Sequence, residues 1–270
     1  LSCLKNIASL SLPLIFTHPI GVDIPRAVNL GEELDANRVR YGKNIMDALE
    51  DIRAISPDLI VVVGWSWLIP QSVLEIPPLG VVGFHPSRLP ADRGRSVLAW
   101  QIEEGYTKTA LTMFYYTPEP DAGDIIDAEE IPINESDYIG DLLDKVDVAT
   151  GKLIENNMAN ILNQTVVRTK QDHACATKRK LRTDANSQID WESSAVAVYN
   201  KIRAISRPYP GATGSICGVQ YRIWRAIPLS LNGTEDENHY APGDAMDYNR
   251  NSFVIKCGTG AIKLIDYEAL

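Results

Sequence analysis

Short apolar runs recur along the first half of the chain and alternate with segments of helical periodicity. The runs at 59–63 and 80–84 are apolar almost throughout, which is typical of strands buried on both faces of a parallel sheet. Further strands are predicted at 10–16, 39–41, 110–116 and 125–131. The first half of the chain is therefore predicted to form a series of strands, and one large domain could bury them.

Apolar residues spaced three and four apart predict helices between these strands. The strongest pattern is 137–162, in which Leu142, Leu143, Val146, Ala149 and Leu153 fall on one face. Other helices are predicted over 25–34, 44–55, 71–75 and 96–104. Strands that alternate with helices indicate an α/β fold with a doubly wound, mostly parallel sheet.

The composition changes near residue 165. A polar stretch over 166–187 predicts a linker, and we interpret its basic cluster, Lys178, Arg179, Lys180 and Arg182, as solvated. Beyond it, a helix is predicted over 195–205, and short strands separated by glycines are predicted over 213–216, 221–226, 253–256 and 261–265. This pattern favours a small barrel or open β domain. We therefore predict a first domain over 1–165, a linker over 166–187 and a second domain over 188–270.

Charge and cysteine content narrow the functional classes. The net charge of −9 disfavours a nucleic-acid partner, because proteins that bind polyanions carry basic patches. Cys3, Cys175, Cys217 and Cys257 are scattered without metal-ligand spacing, which predicts reduced thiols and no metal site. The apolar runs are too short to span a membrane and no signal-peptide pattern precedes them, so we expect a cytoplasmic protein.

A histidine closes the second of the two apolar runs. Open α/β sheets bind ligands at the carboxyl ends of their strands, which is where His85 stands. The loop after it contains, in order, Ser87, Leu89, Pro90, Arg93 and Gly94. An Asp-Ala-Gly turn follows at Asp121. An imidazole beside a carboxylate can carry a proton near neutral pH, because the ordinary pKa of histidine is about 6.5.

These residues resemble the motifs of the formyltransferases that take a formyl group from 10-formyltetrahydrofolate and place it on an amine. That family carries Asn-x-His-x-Ser-Leu-Leu-Pro, an Arg-Gly loop and Asp-Ala-Gly, and this chain matches them in order from His85 to Gly123. Similarity to the family's C-terminal domain continues at 189–191 and 207–212, so the resemblance covers nearly the whole chain.

The resemblance implies a Rossmann-like catalytic domain followed by an OB-like C-terminal domain. The family's sheet begins with a strand earlier than 10–16, and no residues of this sequence supply it. We therefore expect an N-terminal strand, and part of the loop after His18, to be missing from this sequence.

The resemblance also implies roles for individual residues. His85 is the proton shuttle, Asp121 is the carboxylate that assists it, and Ser87 is a catalytic-site residue that orders the loop under the histidine. The co-substrate 10-formyltetrahydrofolate is implied to contact two loops that follow predicted strands, together with one arginine. These contact residues are Trp67, Leu68, Ile69, Arg95, Thr117, Pro118, Glu119, Pro120 and Asp121. No metal is implied.

Two positions depart from the family pattern: Arg88 replaces a leucine, and Gly83 stands where the family has the asparagine of its active site, two residues before the histidine. The asparagine stabilises an oxyanion, and loss of one such donor typically lowers the rate by about 100- to 1000-fold. Three explanations stay open: a water in the vacated space, a substitute donor from Ser87, Arg95 or a backbone N–H, or a weak or silent homologue. We favour substitution, because the rest of the motif is intact.

The amine acceptor differs within the family, which includes enzymes for initiator methionyl-tRNA and enzymes for nucleotide-linked amino sugars. The tRNA enzymes use a basic loop after the strand that ends here at His18, whereas residues 19–25 contain no Lys or Arg. This favours an amino-sugar acceptor, as in precursor synthesis for lipopolysaccharide and other cell-surface polysaccharides. Four alternatives stay open: methionyl-tRNA as the acceptor, another small amine as the acceptor, hydrolysis of 10-formyltetrahydrofolate, and a folate-binding homologue without turnover. The C-terminal domain could recognise the acceptor or form a homodimer.

Overall fold

The computed structural model describes residues 14–17, 39–231, 239–249 and 252–270. β1 (Ile15–Thr17) lies at the end of the predicted strand 10–16 and pairs in parallel with β2 (Val39–Tyr41). The predicted helix 25–34 and the loop after His18 lie outside the described residues. The chain divides into two units, one formed by 1–94, 110–131 and 146–178, and the other by 95–109, 132–145 and 179–270.

The predicted helix 44–55 is a 3-10 turn, Ile45–Ala48, that continues into α1 (Leu49–Ile55). Asn44 starts it with a capping box, because its side chain accepts from Met46 while the Asp47 carboxylate accepts from the Asn44 N–H. Ile45 and Ile52 pack with Val73 of α2 (Gln71–Leu74) in a cluster that also includes Phe16, Trp65 and Ile69.

The two apolar runs form β3 (Ile60–Val62) and β4 (Val81–His85), which pair in parallel as predicted. After the two-residue strand β5 (Arg93–Gly94) come β6 (Lys108–Tyr115) and β7 (Ile125–Pro132). The sheet order is β3-β4-β6-β7. The α/β class with a parallel-containing sheet is confirmed.

β6 runs antiparallel to β4, so Thr112 lies opposite His85 and Phe114 lies opposite Gly83. The alternating pattern of this segment predicts a strand but carries no information on its direction. Because directly opposed residues share a face of a sheet, these four residues lie on one face. The antiparallel direction also means that β6 ends beside the start of β4, and the residues after Tyr115 must fold back to reach His85.

A helical layer covers the other face of β3 and β4. After α3 (Val97–Glu103), the long amphipathic pattern forms α4 (Ile139–Leu162). Its residues Ile154 and Met158 are buried against Phe84 and against Leu59 and Val61. The face that carries Gly83 and His85 is therefore not the face packed on α4.

The second unit contains α3, α5 (Ala195–Ala204) and a five-stranded antiparallel sheet. Its strands are β9 (Ala212–Ile216), β10 (Val219–Leu229), β11 (Ala245–Asn249), β12 (Ser252–Lys256) and β13 (Ala261–Ala269), in the order β11-β12-β13-β10-β9. The predicted small β domain is confirmed. The sequence did not predict β11, which contains Asp247 and Asn249, residue types that are depleted in strands.

Much of the predicted linker is held in place by a strand pairing and by ion pairs. β8 (Lys178–Arg179) pairs with β5. Within the second unit, Arg179 forms an ion pair with Glu104, and Arg182 forms one with Glu103 while lying 4.2 Å above the Trp100 ring. The interpretation of these two arginines as solvated is wrong, because the C-terminal end of α3 supplies their carboxylate partners. The domain boundaries at 165 and 187 stay a prediction.

Candidate active site

His85 ends β4 and is buried. Its Nε2 lies 2.7 Å from the backbone carbonyl oxygen of Asp92. A carbonyl oxygen can only accept, so Nε2 carries a hydrogen and donates it. Nδ1 is then the nitrogen that gains or loses a proton, and it lies 3.5 Å from Oδ1 of Asp121. The structure therefore brings together the two residues that the sequence predicts as shuttle and carboxylate.

Asp121 is held in place by its backbone and by its second oxygen. It adopts a left-handed conformation with φ of 56°, which aspartate tolerates better than most residues. Its Oδ2 accepts the backbone N–H of Gly94 at 2.8 Å. With one oxygen fixed by Gly94, the other is directed toward the imidazole of His85.

The loop between His85 and Gly94 is organised by Ser87. Its hydroxyl donates to the carbonyl of Ala91 at 2.6 Å, and its own carbonyl accepts from the Thr112 hydroxyl at 2.6 Å. Ser87 is almost fully buried. These contacts support the predicted ordering of the loop, and they use the serine hydroxyl within the loop itself. A contact between Ser87 and a substrate stays a prediction.

The Asp121 turn is supported by Gln171, which the sequence did not connect with the site, and by Arg93 of the Arg-Gly loop. Gln171 donates through Nε2 to the carbonyls of Asp121 and Gly123, at 2.9 and 2.7 Å. Its Oε1 accepts from Arg93, at 2.6 Å from Nη2. Arg93 is buried and also contacts His173 and Glu119. Gln171 lies in the segment predicted as a linker, and no local pattern marks it.

Gly83 is covered by an aromatic ring. A Cβ placed on Gly83 would lie 2.4 Å from Cε1 of Tyr116 and 3.0 Å from its hydroxyl oxygen. The Tyr116 ring stacks on Phe114, with ring centroids 5.1 Å apart, on the face of the sheet that carries His85. Burial, and then the nearby charge of Asp121, raises the pKa of the Tyr116 phenol far above its ordinary value. The space vacated by the missing asparagine is therefore filled by a tyrosine that the sequence did not indicate.

The predicted folate contacts differ in their exposure. Trp67 and Leu68 are 48% and 72% exposed, whereas Ile69 packs into the hydrophobic cluster of the 3-10 turn and α1. Pro118, Glu119 and Pro120 are exposed, and the Thr117 hydroxyl donates to the Glu119 carbonyl at 2.8 Å. Arg95 is exposed and belongs to the second unit. A folate-binding role for these residues stays a prediction.

The part of the chain that the structure describes contains neither a cluster of metal-ligating residues nor a membrane-spanning helix. Within 14–17, 39–231, 239–249 and 252–270, no group of three or more His, Cys, Asp or Glu residues could hold a metal ion. No helix in those same ranges is long and apolar enough to cross a membrane.

Comparison with known proteins gives two family matches along the chain. Residues 23–158 match the model described as formyl transferase, and residues 182–269 match the formyl transferase C-terminal domain. A methionyl-tRNA formyltransferase of Bacillus velezensis is 29% identical over 248 residues, which cover 92% of this chain and 72% of that protein.

Solved structures share the fold. HypX from Aquifex aeolicus in complex with tetrahydrofolic acid superposes with a TM-score of 0.66 and 20% identity, over 85% of this chain and 39% of HypX. WlaRD, described as a sugar 3N-formyl transferase, superposes with a TM-score of 0.65 and 18% identity, over 95% of this chain and 87% of WlaRD. Since the two family models match most of the chain, the protein belongs to the formyl transferase family and is a formyl-transferring enzyme.

Proposed function

We propose that this enzyme transfers a formyl group from 10-formyltetrahydrofolate to the amine of a nucleotide-linked amino sugar. The observation that carries the proposal is the pair formed by His85 and Asp121 at the end of β4, with one imidazole nitrogen fixed by the Asp92 carbonyl and one carboxylate oxygen fixed by Gly94 N–H. Such a pair is suited to moving one proton during acyl transfer.

The reaction defines what the site must do. The acceptor nitrogen forms a bond to the formyl carbon, and the carbonyl electron pair moves onto the formyl oxygen as an oxyanion. The acceptor nitrogen then loses a proton, the bond between the formyl carbon and N10 of the folate breaks, and N10 gains a proton. The products are a formamide and tetrahydrofolate, so no net proton is consumed. The site needs one proton carrier and one donor to the oxyanion.

His85 and Asp121 can fulfil the first requirement. Nδ1 and Oδ1 are 3.5 Å apart, which is at the outer limit of a hydrogen bond, so a lone pair on either atom can still receive a proton from the acceptor amine. Asp92 keeps the other nitrogen protonated, so the ring does not change tautomer during the transfer. The same Nδ1 proton is then available for N10 of the folate.

Exposed residues in two loops that follow strands would fit a flat heterocycle. Trp67 and Leu68 present apolar surface in the loop after β3, and 117–120 are exposed in the turn that leads to Asp121. Pockets for flat ligands combine apolar side chains with a few backbone donors and acceptors. These residues would hold the pterin part of 10-formyltetrahydrofolate, which supplies the formyl group.

Charge supports a small acceptor rather than a polyanion. Residues 188–270 contain eight Lys and Arg against nine Asp and Glu. Arg203 is buried, and Arg207 and Arg222 are paired with Asp266 and Glu268. Cations that are already paired with carboxylates contribute little to the counterion release that drives nucleic-acid binding. The likeness to WlaRD, a sugar 3N-formyl transferase, agrees with a sugar acceptor.

Methionyl-tRNA is the second candidate, because the Bacillus velezensis relative carries that name. Salt dependence separates the two acceptors. The KM for a tRNA should rise steeply with salt, whereas the KM for a nucleotide-linked sugar should change little.

The experiment is tetrahydrofolate release from 10-formyltetrahydrofolate with a panel of nucleotide-linked amino sugars, with initiator methionyl-tRNA, and with no acceptor. We expect release that depends on one sugar and is lost in His85→Ala. His239→Ala, at an exposed histidine of the second unit, is the matched control and should retain full activity. Release that depends only on the tRNA would replace the sugar by the second candidate, and release without any acceptor would make the protein a hydrolase.

A further inference from the structure

The Tyr116 ring lies on the face of the sheet that carries His85. Gly83 and His85 are two residues apart on one strand, so both face the same side of the sheet. The Tyr116 ring lies directly over Gly83, and its hydroxyl oxygen is 3.0 Å from the point that a Cβ would occupy there. The phenol therefore lies beside the point from which an asparagine side chain at position 83 would extend.

We propose that the Tyr116 hydroxyl is the hydrogen-bond donor to the formyl oxyanion, in place of the asparagine that Gly83 replaces. The inference rests on the proposed formyl transfer and adds a third catalytic residue to it. It is the substitute donor that the intact His85 and Asp121 led us to expect, but it comes from the residue directly after β6 rather than from Ser87, Arg95 or a backbone N–H.

Three observations support this role. Among the residues that the structure describes, the Tyr116 hydroxyl has no hydrogen-bond partner, so it is free to donate to a ligand. Burial and Asp121 both raise the pKa of the phenol, so it keeps its proton over the working range of pH. The aromatic stack with Phe114 fixes the ring, and a preorganised donor stabilises a developing charge without reorganisation.

Three other donors around His85 are already engaged. The His85 Nε2–H binds the Asp92 carbonyl, the Ser87 hydroxyl binds Ala91, and the Gly94 N–H binds Asp121. Each would have to break an existing hydrogen bond to reach an oxyanion. Tyr116 would not.

The first test is Tyr116→Phe, which keeps the ring over Gly83 and removes only the hydroxyl. We expect kcat to fall by about 100- to 1000-fold, with the KM for 10-formyltetrahydrofolate changed less than about threefold. Tyr115→Phe is the matched control, because Tyr115 is the preceding residue and faces the opposite side of the strand. Thermal unfolding of both variants should match that of the native protein.

The second test restores the amide. Gly83→Asn alone should lower activity, because the new Cβ would collide with the Tyr116 ring. Tyr116→Ala should also lower it, and the double variant Gly83→Asn with Tyr116→Ala should recover at least about tenfold over Tyr116→Ala, since the amide then occupies the cleared space.

The outcomes separate this inference from the proposed function. Full activity in Tyr116→Phe, or a gain of activity in Gly83→Asn alone, would overturn the role of Tyr116 while leaving formyl transfer in place. Absence of tetrahydrofolate release by the native protein under every acceptor condition would overturn both. A loss in Tyr116→Phe with recovery in the double variant would support both.

Discussion

The side-chain amide of Gln171 joins the guanidinium of Arg93 to the turn that carries Asp121. One end of the amide accepts from Arg93 and the other donates to two carbonyls of the turn. The position of the carboxylate beside His85 therefore depends on a residue 50 positions further along the chain.

Gln171→Leu should weaken both stability and catalysis. It leaves the buried Arg93 without its amide acceptor, and it frees two carbonyls of the Asp121 turn. We expect the free energy of unfolding to fall by about 2–4 kcal/mol and kcat to fall about tenfold. Urea unfolding and steady-state kinetics measure the two effects. Gln220→Leu, on an exposed strand position, should change neither, and an unchanged Gln171→Leu protein would show that the turn holds its shape without the amide.

Asp121→Asn should separate charge from geometry. The amide oxygen can still accept the Gly94 N–H, so the turn should keep its shape, but the negative charge beside Nδ1 is removed. We expect kcat to fall by about 100-fold or more, with the free energy of unfolding changed by less than about 1 kcal/mol. Asp58→Asn, at an exposed residue just before β3, is the control for loss of one charge. A variant with more than half the native kcat would remove Asp121 from the mechanism.

Gly123→Ala should disrupt the turn itself. A Cβ at Gly123 would lie 1.8 Å from the Tyr115 carbonyl oxygen, so the backbone must move. We expect a loss of more than about 2 kcal/mol in the free energy of unfolding, together with most of the activity. Gly218→Ala serves for comparison, since its φ of 80° is strained for alanine but a Cβ there would contact nothing within 4 Å. That variant should lose only about 1–2 kcal/mol and keep its activity.

The cysteines should differ sharply in reactivity. Cys257 is fully buried, and burial raises the pKa of its thiol to about 11. Cys175 and Cys217 are exposed, and a hydrogen bond to the Asp172 carboxylate, followed by the charge of that carboxylate, raises the pKa of Cys175. With iodoacetamide at pH 8, we expect Cys217 to be alkylated first, Cys175 more slowly and Cys257 only in urea, as read from peptide masses.

The thiol of Cys257 should also make the free energy of unfolding depend on pH. The pKa of Cys257 in the folded protein lies above its value of 9.0 in the unfolded chain. Its contribution to the free energy of unfolding is therefore complete below pH 9 and is lost as the pH rises toward 11. Relative to Cys257→Ala, the native protein should lose about 2 kcal/mol of unfolding free energy over that range. Parallel curves for the two proteins between pH 9 and 11 would contradict this assignment.

The sequence predicts the parts of the site that lie within short motifs. His85 and Asp121 follow from a strand end and a turn signal, and the departure at Gly83 is visible by inspection. The residues that complete the site come from elsewhere. Tyr116 reaches Gly83 because β6 runs antiparallel to β4, and a pattern of alternation does not show direction. Gln171 lies in a polar stretch whose composition is that of a linker, so only the folded chain reveals its contacts.

The same limit explains the errors in the second half of the chain. No feature of the sequence distinguishes Arg179 and Arg182 from solvated cations, because their partners at the C-terminal end of α3 lie about 80 residues earlier. By contrast, the sequence predicts β9, β12 and β13, because β-branched residues bounded by glycine are a local signal for a strand.

The hydrogen bond from His85 to the Asp92 carbonyl has an evolutionary consequence. A backbone carbonyl is present whatever side chain occupies position 92, so no substitution there can delete the acceptor. The protonation pattern of the histidine is therefore inherited with the path of the main chain, whatever side chains change around it.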